Sequence, residues 1–327
     1  MNYRKFGRIG WNVSEIGFGA WAVGGEWGAV DDEQSIAALK RALEMGVNFF
    51  DTADVYGDGR SERLMRRLRK ETKTPFHVAT KAGRRLQPHV AAGYNKENLT
   101  AFIDRSLQNI GVESLELVQL HCPPTDTYYR PETFAVMDEL VKSGKVQHYG
   151  VSVERVEEGL KALEFANVAS IQIIFNMFRQ RPAERLLAEA QRRGVATIIR
   201  VPLASGMLTG KLSAASTFAA DDHRNFNRHG EAFDAGETFA GVPYEVGLKA
   251  VEELKSLVPA GATLAQLALR WILMCDGVAT IIPGGKSSRQ VEDNSGASAL
   301  PALTEEQMKT VRAVYDRYIR SSVHQRW

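Results

Sequence analysis

Cysteine, net charge and long apolar runs are all scarce in this sequence, and each scarcity argues against a class of protein. Only Cys122 and Cys275 occur among 327 residues, which argues against a disulfide-bonded framework and fits a reducing compartment. The 41 basic and 39 acidic residues leave a net charge of +2 and are scattered, so a nucleic-acid-binding surface is not indicated. No apolar run approaches about 18 residues, and the first residues lack the apolar core of a signal peptide. We therefore expect a soluble cytoplasmic protein without nucleic-acid or membrane partners.

Several motifs of catalysis and ligand binding are missing as well. The seven histidines are dispersed, and no His-x-x-x-His or Cys-x-x-Cys pair occurs, so no metal site is predicted. Neither Ser106 nor Ser152 stands in a Gly-x-Ser-x-Gly setting, which leaves no nucleophile for acyl transfer. No Gly-x-Gly-x-x-Gly turn follows a predicted strand, so these residues do not propose a Rossmann-type dinucleotide site.

Short apolar runs alternate with longer amphipathic segments along most of the chain. This pattern is typical of repeated β-α units with buried parallel strands. Gly46, Gly111, Gly144 and Gly194 each stand between a helical segment and the next strand, where a left-handed cap is needed. Eight such units in about 300 residues predict one (β/α)₈ TIM-barrel domain over residues 1–327. The eight strands are expected near residues 15–19, 48–51, 77–80, 115–120, 147–152, 170–175, 196–201 and 278–282.

Three segments lie outside this regular pattern. Residues 3–6 and 11–13 are expected to form an N-terminal β-hairpin that closes the barrel floor. Residues 213–242 form a long loop after the seventh strand, and a pocket wall or lid is favoured over a variable surface excursion because active sites of such barrels lie at that face. The C-terminal residues His324, Arg326 and Trp327 are expected either to reach back over the barrel mouth or to fray, and fraying is favoured.

Four polar residues, Asp51, Tyr56, Lys81 and His121, fall at or just beyond the ends of the second, third and fourth predicted strands. Each alone is better explained as a helix cap, a half-buried aromatic, a surface residue or a core histidine. Because the carboxyl ends of barrel strands meet at one face, the four together predict a single site.

An acid, a phenol, an amine and an imidazole in one place suggest proton donation. A phenol has a pKa of about 10, so Tyr56 is a useful acid only if a nearby cation stabilises its anion. Lys81 is the available cation, Asp51 would hold it charged and oriented, and His121 would hydrogen-bond a substrate oxygen. The residues thus predict a site that protonates a carbonyl oxygen.

Further segments accompany these residues, at positions 16–21, 48–57, 118–121, 149–152, 202–211 and 281–284. With them the chain resembles the aldo-keto reductase superfamily, and more narrowly its bacterial members related to the potassium-channel β-subunit branch. The resemblance implies a (β/α)₈ barrel and an NADPH-dependent oxidoreductase that reduces a small aldehyde or ketone by hydride transfer. In that scheme Tyr56 donates the proton, Lys81 and Asp51 adjust the acidity of Tyr56, and His121 orients the substrate.

The resemblance also implies a nicotinamide cofactor extended across the barrel mouth. Ser152 and Gln172 would hold the carboxamide, with Gly19 and Trp21 beside the ring. The pyrophosphate would meet backbone groups of Leu203, Ser205 and Gly206 and the ammonium of Lys211. The adenosine end would be surrounded by Gly284, Lys286, Arg289, Gln290 and Asn294. Lys286 and Arg289 lie where an extra 2′-phosphate would gain charge-assisted hydrogen bonds, so NADPH (NADP⁺) is preferred to NADH.

Two positions depart from the family pattern. Val153 stands where many relatives have Asn or Arg, and Arg200 stands where most relatives have an aromatic residue stacked on the nicotinamide. A guanidinium is able to stack there or reach the pyrophosphate, but it adds positive charge beside an oxidised ring. The sequence therefore predicts weaker retention of NADP⁺ than of NADPH.

Two other functions remain open at this stage. Some relatives with the same segment at 48–57 oxidise sugars, so an NAD(P)-dependent aldose dehydrogenase is one alternative. The resemblance to channel β-subunits makes a nicotinamide-binding sensor or regulatory subunit the other.

Overall fold

The computed structural model describes residues 1–25, 27 and 31–327. Its strands, in chain order, are β1 (Tyr3–Phe6), β2 (Trp11–Ser14), β3 (Phe18–Gly19), β4 (Phe49–Asp51), β5 (His77–Ala82), β6 (Leu115–His121), β7 (Val146–Ser152), β8 (Val168–Ile174), β9 (Ala196–Arg200) and β10 (Thr280–Ile281). Strands β3 to β10 are parallel and each pairs with the next. Parallel bridges from Ile16 to Ile281 and from Gly19 to Gly284 join the first strand to the last. The predicted (β/α)₈ barrel is confirmed.

Helices separate the strands and cover the barrel. They are α1 (Trp21–Gly24), α2 (Asp32–Glu44), α3 (Arg60–Glu71), α4 (Lys96–Ile110), α5 (Pro131–Lys142), α6 (Val156–Ala162), α7 (Leu186–Arg192), α8 (His223–Phe226), α9 (Tyr244–Lys255), α10 (Leu264–Leu273), α11 (Ser288–Gly296), α12 (Glu305–Val314) and α13 (Arg320–Val323). Among the described residues, none of these helices has the length and apolar character needed to cross a membrane.

The glycines that punctuate the helices adopt the backbone conformation expected of them. Gly46, Gly111, Gly144 and Gly194 have φ angles of +86°, +73°, +79° and +66°. This left-handed region is open to glycine at little cost, so each residue lets the chain leave a helix and turn directly into the next strand. Repetition of this turn starts four of the barrel strands, β4, β6, β7 and β9, at the same end of the barrel.

The N-terminal hairpin lies under the barrel, as predicted. Strands β1 and β2 pair antiparallel, and Phe6 and Val13 are fully buried. They belong to an apolar cluster that includes Phe49 and Ile198 from the barrel interior, and the rings of Phe6 and Phe49 lie 5.2 Å apart. Burial of this apolar surface closes the end of the barrel opposite the carboxyl ends of the strands.

The expectation that the C-terminal residues fray is wrong for Trp327. Its side chain is buried, with the Arg179 guanidinium 3.9 Å from the ring centroid. The indole Nε1 donates to Asp234 Oδ1 at 2.8 Å. A tryptophan at a chain end is ordered when both its apolar face and its N–H find partners, and both do so here. Trp327 thereby anchors part of the long loop at residues 213–242.

Candidate active site

The four predicted polar residues meet at the carboxyl ends of neighbouring strands. Asp51 ends β4, Lys81 lies near the end of β5 and His121 ends β6, while Tyr56 follows in the turn after β4. Lys81 Nζ contacts Asp51 Oδ1 and donates to Tyr56 Oη at 3.2 Å. The Tyr56 and His121 rings lie edge to face with centroids 5.8 Å apart. The structure thus brings all four together.

Close backbone approach fixes the Tyr56 ring. The segment after β3 passes so near that a Cβ at Gly24 would lie 2.6 Å from the Tyr56 Cβ. Glycine at position 24 therefore allows Trp21 to stack on Tyr56, with centroids 6.0 Å apart and planes inclined by 20°. Tyr56 is held between this indole and the Lys81 ammonium, which lies 4.8 Å from the phenol centroid.

Asp51 has a partner on both of its carboxylate oxygens. Lys81 contacts Oδ1, while Oδ2 accepts from Gln172 Nε2 at 2.7 Å and from Gln119 Nε2 at 3.1 Å. A buried carboxylate needs hydrogen-bond partners on both oxygens because an unpaired charge away from water raises the free energy of the folded state. Gln172, predicted to hold a carboxamide, is therefore also a support for Asp51. Ser152 lies beneath it, fully buried, with Oγ 3.5 Å from Gln172 Oε1.

The pKa of Tyr56 differs in direction from what the sequence suggested. Burial raises it well above its ordinary value, and the Asp51 carboxylate raises it further. Burial also lowers the pKa of Lys81, against the opposing effect of Asp51. Lys81 does not lower the pKa of Tyr56 as expected, because Asp51 offsets the charge of that lysine and because a buried phenolate loses its hydration. Tyr56 is consequently a protonated phenol throughout the neutral pH range.

His121 is neutral and faces an arginine that the sequence analysis overlooked. Its Nε2 lies 3.4 Å from Arg84 Nη1, and its backbone carbonyl is 3.4 Å from the Tyr94 hydroxyl. Its Nδ1 has no hydrogen-bond partner in the described part of the chain. Burial, followed by the charges of Arg84 and Lys81, holds the pKa of His121 well below its ordinary value.

A chain of partly or fully buried charges extends from Arg84 to Arg200. Arg84 Nη2 donates to Glu237 Oε1 at 2.5 Å, and Glu237 Oε2 lies 3.6 Å from Arg200 Nη1. Arg200 Nη2 donates to Glu154 Oε2 at 2.8 Å and to the Val153 carbonyl at 3.2 Å. The positive charge that the sequence analysis expects from Arg200 is therefore partly offset here, and the weaker retention of NADP⁺ stays a prediction. Two carboxylates already pair with this guanidinium.

This cluster also contains three residues that are able to bind metals. Ligand atoms of Cys122, Glu154 and Glu237 lie within 4.8 Å of one another. Arg200 and Arg84 already occupy the carboxylates, and burial raises the pKa of the Cys122 thiol, which opposes the thiolate that a metal requires. The geometry therefore favours an ion-pair network over a metal centre.

A cavity of about 450 Å³ runs from Tyr56 and His121 to the loops after β9 and β10. Most of the predicted cofactor residues line it: Gly19, Trp21, Gln172, Arg200, Leu203, Ser205, Gly206, Lys211, Gly284, Lys286, Gln290 and Asn294. Among the described residues, Ser152 and Arg289 are outside this lining. Ser152 is buried behind Gln172, and Arg289 is exposed on α11.

The loop after β9 has strained geometry that suits an anion. Val201, Ala204, Ser205 and Gly206 have φ angles of +49°, +47°, +54° and +93°. Positive φ is unfavourable for alanine and serine and a genuine outlier for β-branched valine, and such strain clusters at functional sites. Backbone N–H groups of residues in left-handed and turn conformations can converge on an anion. The N–H groups of Ala204 and Gly206 already donate to the Val201 and Leu203 carbonyls, at 3.1 and 3.0 Å, so the ammonium of Lys211, which lines the cavity, is a further candidate to bind a pyrophosphate here.

The loop after β10 supplies a second polar surface. The side chain of Gln290 accepts from the Lys286 backbone N–H at 2.7 Å, and Asn294 donates to the Gly284 carbonyl at 3.2 Å. Ser287 caps α11, whose N-terminus is near the same end of the cavity. Residues of this loop therefore shape the site as well as line it.

The long loop reaches over the cavity, as the pocket-wall interpretation predicted. Trp27 and Asp222 form an antiparallel bridge, and the Arg224 guanidinium lies 4.9 Å from the Trp27 ring centroid. Lys286 Nζ donates to the Trp27 carbonyl. Arg224 and Glu237 of this loop line the cavity, together with Trp27, and none of the three was predicted from the sequence. Their segments have no periodicity from which the contact could be inferred.

Comparison with known proteins agrees with this geometry. The chain is 29% identical over 333 residues to "Aldo-keto reductase YhdN" of Bacillus subtilis (strain 168), covering 99% of this chain and 96% of the relative. It is 28% identical to a "Probable voltage-gated potassium channel subunit beta" of Oryza sativa subsp. japonica, with 96% of each chain covered. The solved "glycerol dehydrogenase AKR11B4 from Gluconobacter oxydans" superimposes with a TM-score of 0.79 at 26% identity, over 97% of this chain and 96% of that one.

These similarities confirm the predicted relation to bacterial reductases and to channel β-subunits. The family model described as "Aldo/keto reductase family" matches residues 15–316, from just after the hairpin to α12 and the turn beyond it. The chain therefore belongs to the aldo/keto reductase family of oxidoreductases.

Proposed function

We propose that this protein is an NADPH-dependent reductase of aldehydes or ketones in which Tyr56 donates the proton. The contact between the Tyr56 hydroxyl and the Lys81 ammonium, at 3.2 Å beside His121, is the observation that carries the proposal. It supplies an acid at one end of a cavity whose other end offers cations and backbone donors. Bound NADPH would supply the hydride for the carbonyl carbon.

The chain's own residues would manage the proton. A carbonyl oxygen beside Tyr56 gains negative charge as the carbon is reduced, and the phenolic hydroxyl protonates it. The Lys81 ammonium stabilises the phenolate left behind, and Asp51 keeps that ammonium in place. Because His121 is neutral, it positions the substrate without competing as an acid.

Preference for NADPH rests on the cations at the far end of the cavity. Lys211, Arg224 and Lys286 line this end, with Asp222 paired to Arg224 at 2.6 Å. A 2′-phosphate would form charge-assisted hydrogen bonds with such groups. Arg289 is exposed at the start of α11, so its contribution would require its side chain to turn towards the phosphate.

Oxidation of an alcohol or sugar is the second candidate. The superimposed Gluconobacter structure is named a glycerol dehydrogenase, which favours this direction. The raised pKa of Tyr56 opposes it, because a general base for oxidation must first lose its proton. We therefore place reduction first at neutral pH.

Measurement of NADPH oxidation against small aldehydes, ketones and sugars tests the proposal, with Tyr56→Phe assayed in parallel. We expect turnover in the wild type and a loss of about 10²–10⁴ in kcat in the variant, with NADPH binding retained. Tyr129→Phe is the matched control, since Tyr129 is 67% exposed. Equal rates in the wild type and Tyr56→Phe would contradict the role of Tyr56. Oxidation only with NAD(P)⁺ would indicate the dehydrogenase, and turnover with neither would indicate a sensor.

A further inference from the structure

We propose that Arg84 and His121 form a donor–acceptor pair that selects carbonyl compounds with a hydroxyl group on the neighbouring carbon, and that Glu237 holds Arg84 in place for this role. This inference rests on the proposed function and names the substrate class of the same site. Neither Arg84 nor Glu237 belongs to the group of four residues that carries out the proton transfer.

The pair is defined by what each atom is able to do. Arg84 Nη1 lies 3.4 Å from His121 Nε2. A guanidinium only donates hydrogen bonds, so the Nε2 that faces it presents its lone pair, and the proton of the neutral ring is assigned to Nδ1. At the cavity end near Tyr56, the acceptor His121 Nε2 therefore lies next to one donor, Arg84 Nη1, and both partners of Arg84, His121 and Glu237, line the cavity.

An α-hydroxy carbonyl compound has the complementary pair of groups. Its carbonyl oxygen accepts from Arg84 Nη1 and Tyr56 Oη, and its hydroxyl donates to His121 Nε2. The Arg84–His121 contact is then exchanged for two bonds to the substrate, and no buried polar atom loses its partner. A simple ketone accepts a hydrogen bond from Arg84 Nη1 but has no hydroxyl to donate, so His121 Nε2 is left without a hydrogen bond.

The charges around the pair favour a neutral substrate. The Arg84 charge is matched by Glu237 at 2.5 Å, and Lys81 is matched by Asp51. A 2-oxo acid brings a carboxylate that would have to compete with Glu237, and it offers Nε2 no donor. The pair thus discriminates against both simple ketones and keto acids.

Glu237 gives the arrangement its rigidity. Its backbone carbonyl accepts from Ser205 Oγ at 3.0 Å, which ties the long loop to the loop after β9. The Arg84 guanidinium is also packed 5.4 Å from the Phe233 ring centroid. Arg84 is therefore fixed on two sides before any substrate enters, and less conformational entropy is lost on binding.

Three ketones of similar size provide the test. Hydroxyacetone has the required hydroxyl, butanone replaces it with a methyl group, and methoxyacetone keeps the oxygen but lacks the proton. We expect kcat/KM for hydroxyacetone to exceed that for each of the others about ten- to a hundredfold in the wild type. In Arg84→Met and in Glu237→Gln the ratio should fall to about threefold or less.

The chain offers a matched control at the next residue. Arg85 pairs with the exposed Asp58 at 2.5 Å, whereas Arg84 pairs with the buried Glu237, so Arg85→Met should keep the wild-type ratio. Equal kcat/KM for the three ketones in the wild type would overturn the inference and leave the proposed function intact. No NADPH oxidation with any carbonyl compound would overturn both.

A measurement independent of turnover tests the acceptor. Imidazole ¹⁵N shifts of the protein at pH 7, assigned by comparison with His121→Asn, should show a neutral ring protonated at Nδ1. Arg84→Met should move the proton toward Nε2. A wild-type ring already protonated at Nε2 would overturn the inference, even if the Arg84 variant does not fold.

Discussion

Two ion pairs flank the site, one buried and one partly exposed, and they are built in different ways. Asp51 and Lys81 are 30 residues apart and come from adjacent strands, whereas Arg84 and Glu237 are 153 residues apart and join the end of β5 to the long loop. The Lys81 side chain is 1% exposed and that of Arg84 is 19% exposed. The strand-borne pair is thus part of the barrel itself, while the loop-borne pair depends on how the loop folds over it. We expect the first to control chemistry and stability, and the second to control substrate choice.

Removal of Lys81 should have the largest effect. Lys81→Met leaves the Asp51 carboxylate buried without a cation, so the free energy of unfolding should fall by about 3–5 kcal/mol. The kcat should fall by about 10²–10⁴ because the phenolate of Tyr56 loses its counter-charge. Urea unfolding and steady-state kinetics measure the two effects.

The double variant Asp51→Asn/Lys81→Met separates these effects. With both charges gone, stability should recover while activity stays low. If stability does not recover, the loss in the single variant comes from side-chain packing and the unpaired charge is not its cause.

Asp54 sharpens the comparison because it is a buried carboxyl without a paired cation. Neither of its oxygens has a hydrogen-bond partner among the described residues, and burial, aided by Glu62, raises its pKa to about 7. This folded-state pKa is above the unfolded value of about 3.9. Between about pH 4 and pH 7, folding is therefore coupled to protonation of Asp54, and the free energy of unfolding falls as pH rises through this range.

Asp54→Asn should remove this pH dependence. The variant should gain about 4 kcal/mol of stability relative to the wild type at pH 8, and about 1.5 kcal/mol at pH 5. Thermal unfolding at both pH values measures it. An equal change in Tm at pH 5 and pH 8 would mean that Asp54 is ionised in the folded state.

Loss of the Glu237 charge should have a smaller effect on stability. Glu237→Gln keeps the shape of the side chain but weakens the bonds to Arg84 and Arg200, so unfolding free energy should fall by about 1–2 kcal/mol. KM should rise more than kcat falls, because the proton donor is untouched. Glu231→Gln, in an exposed part of the same loop, is the control and should change neither. A kcat loss as large as that of Lys81→Met would mean that the two pairs are not separable.

The pH dependence of reduction should be weaker than the effects of changing Lys81, Asp54 or Glu237. Because the pKa of Tyr56 is raised, its hydroxyl stays protonated and kcat for reduction should vary by less than about twofold between pH 6 and 9. Oxidation should instead rise with pH, since it needs the phenolate. A fall in the reduction rate with a midpoint between pH 7 and 8 would show that Lys81 dominates burial after all.

The sequence predicted the strand-borne pair because regular structure has regular spacing. Alternating runs and glycine caps located the strands, and residues at strand ends then converge by barrel geometry. Burial was not visible in the sequence, so the pKa of Tyr56 was assigned the wrong direction. Glu237, Trp27 and Trp327 were missed or misjudged because they lie in segments without periodicity. Their positions depend on long-range contacts with Arg84, Asp222 and Arg179.

The hairpin under the barrel has a kinetic consequence. Phe6 and Val13 close that end, and the bridge between Trp27 and Asp222 spans part of the other, so we expect ligands to reach Tyr56 from the end at which the strands finish. Under the proposed function, the cofactor must bind before the carbonyl substrate. The alcohol product must then dissociate before the oxidised cofactor does. A second carbonyl molecule that arrives in this interval would trap the oxidised cofactor inside. We therefore expect turnover to slow again at high substrate concentration.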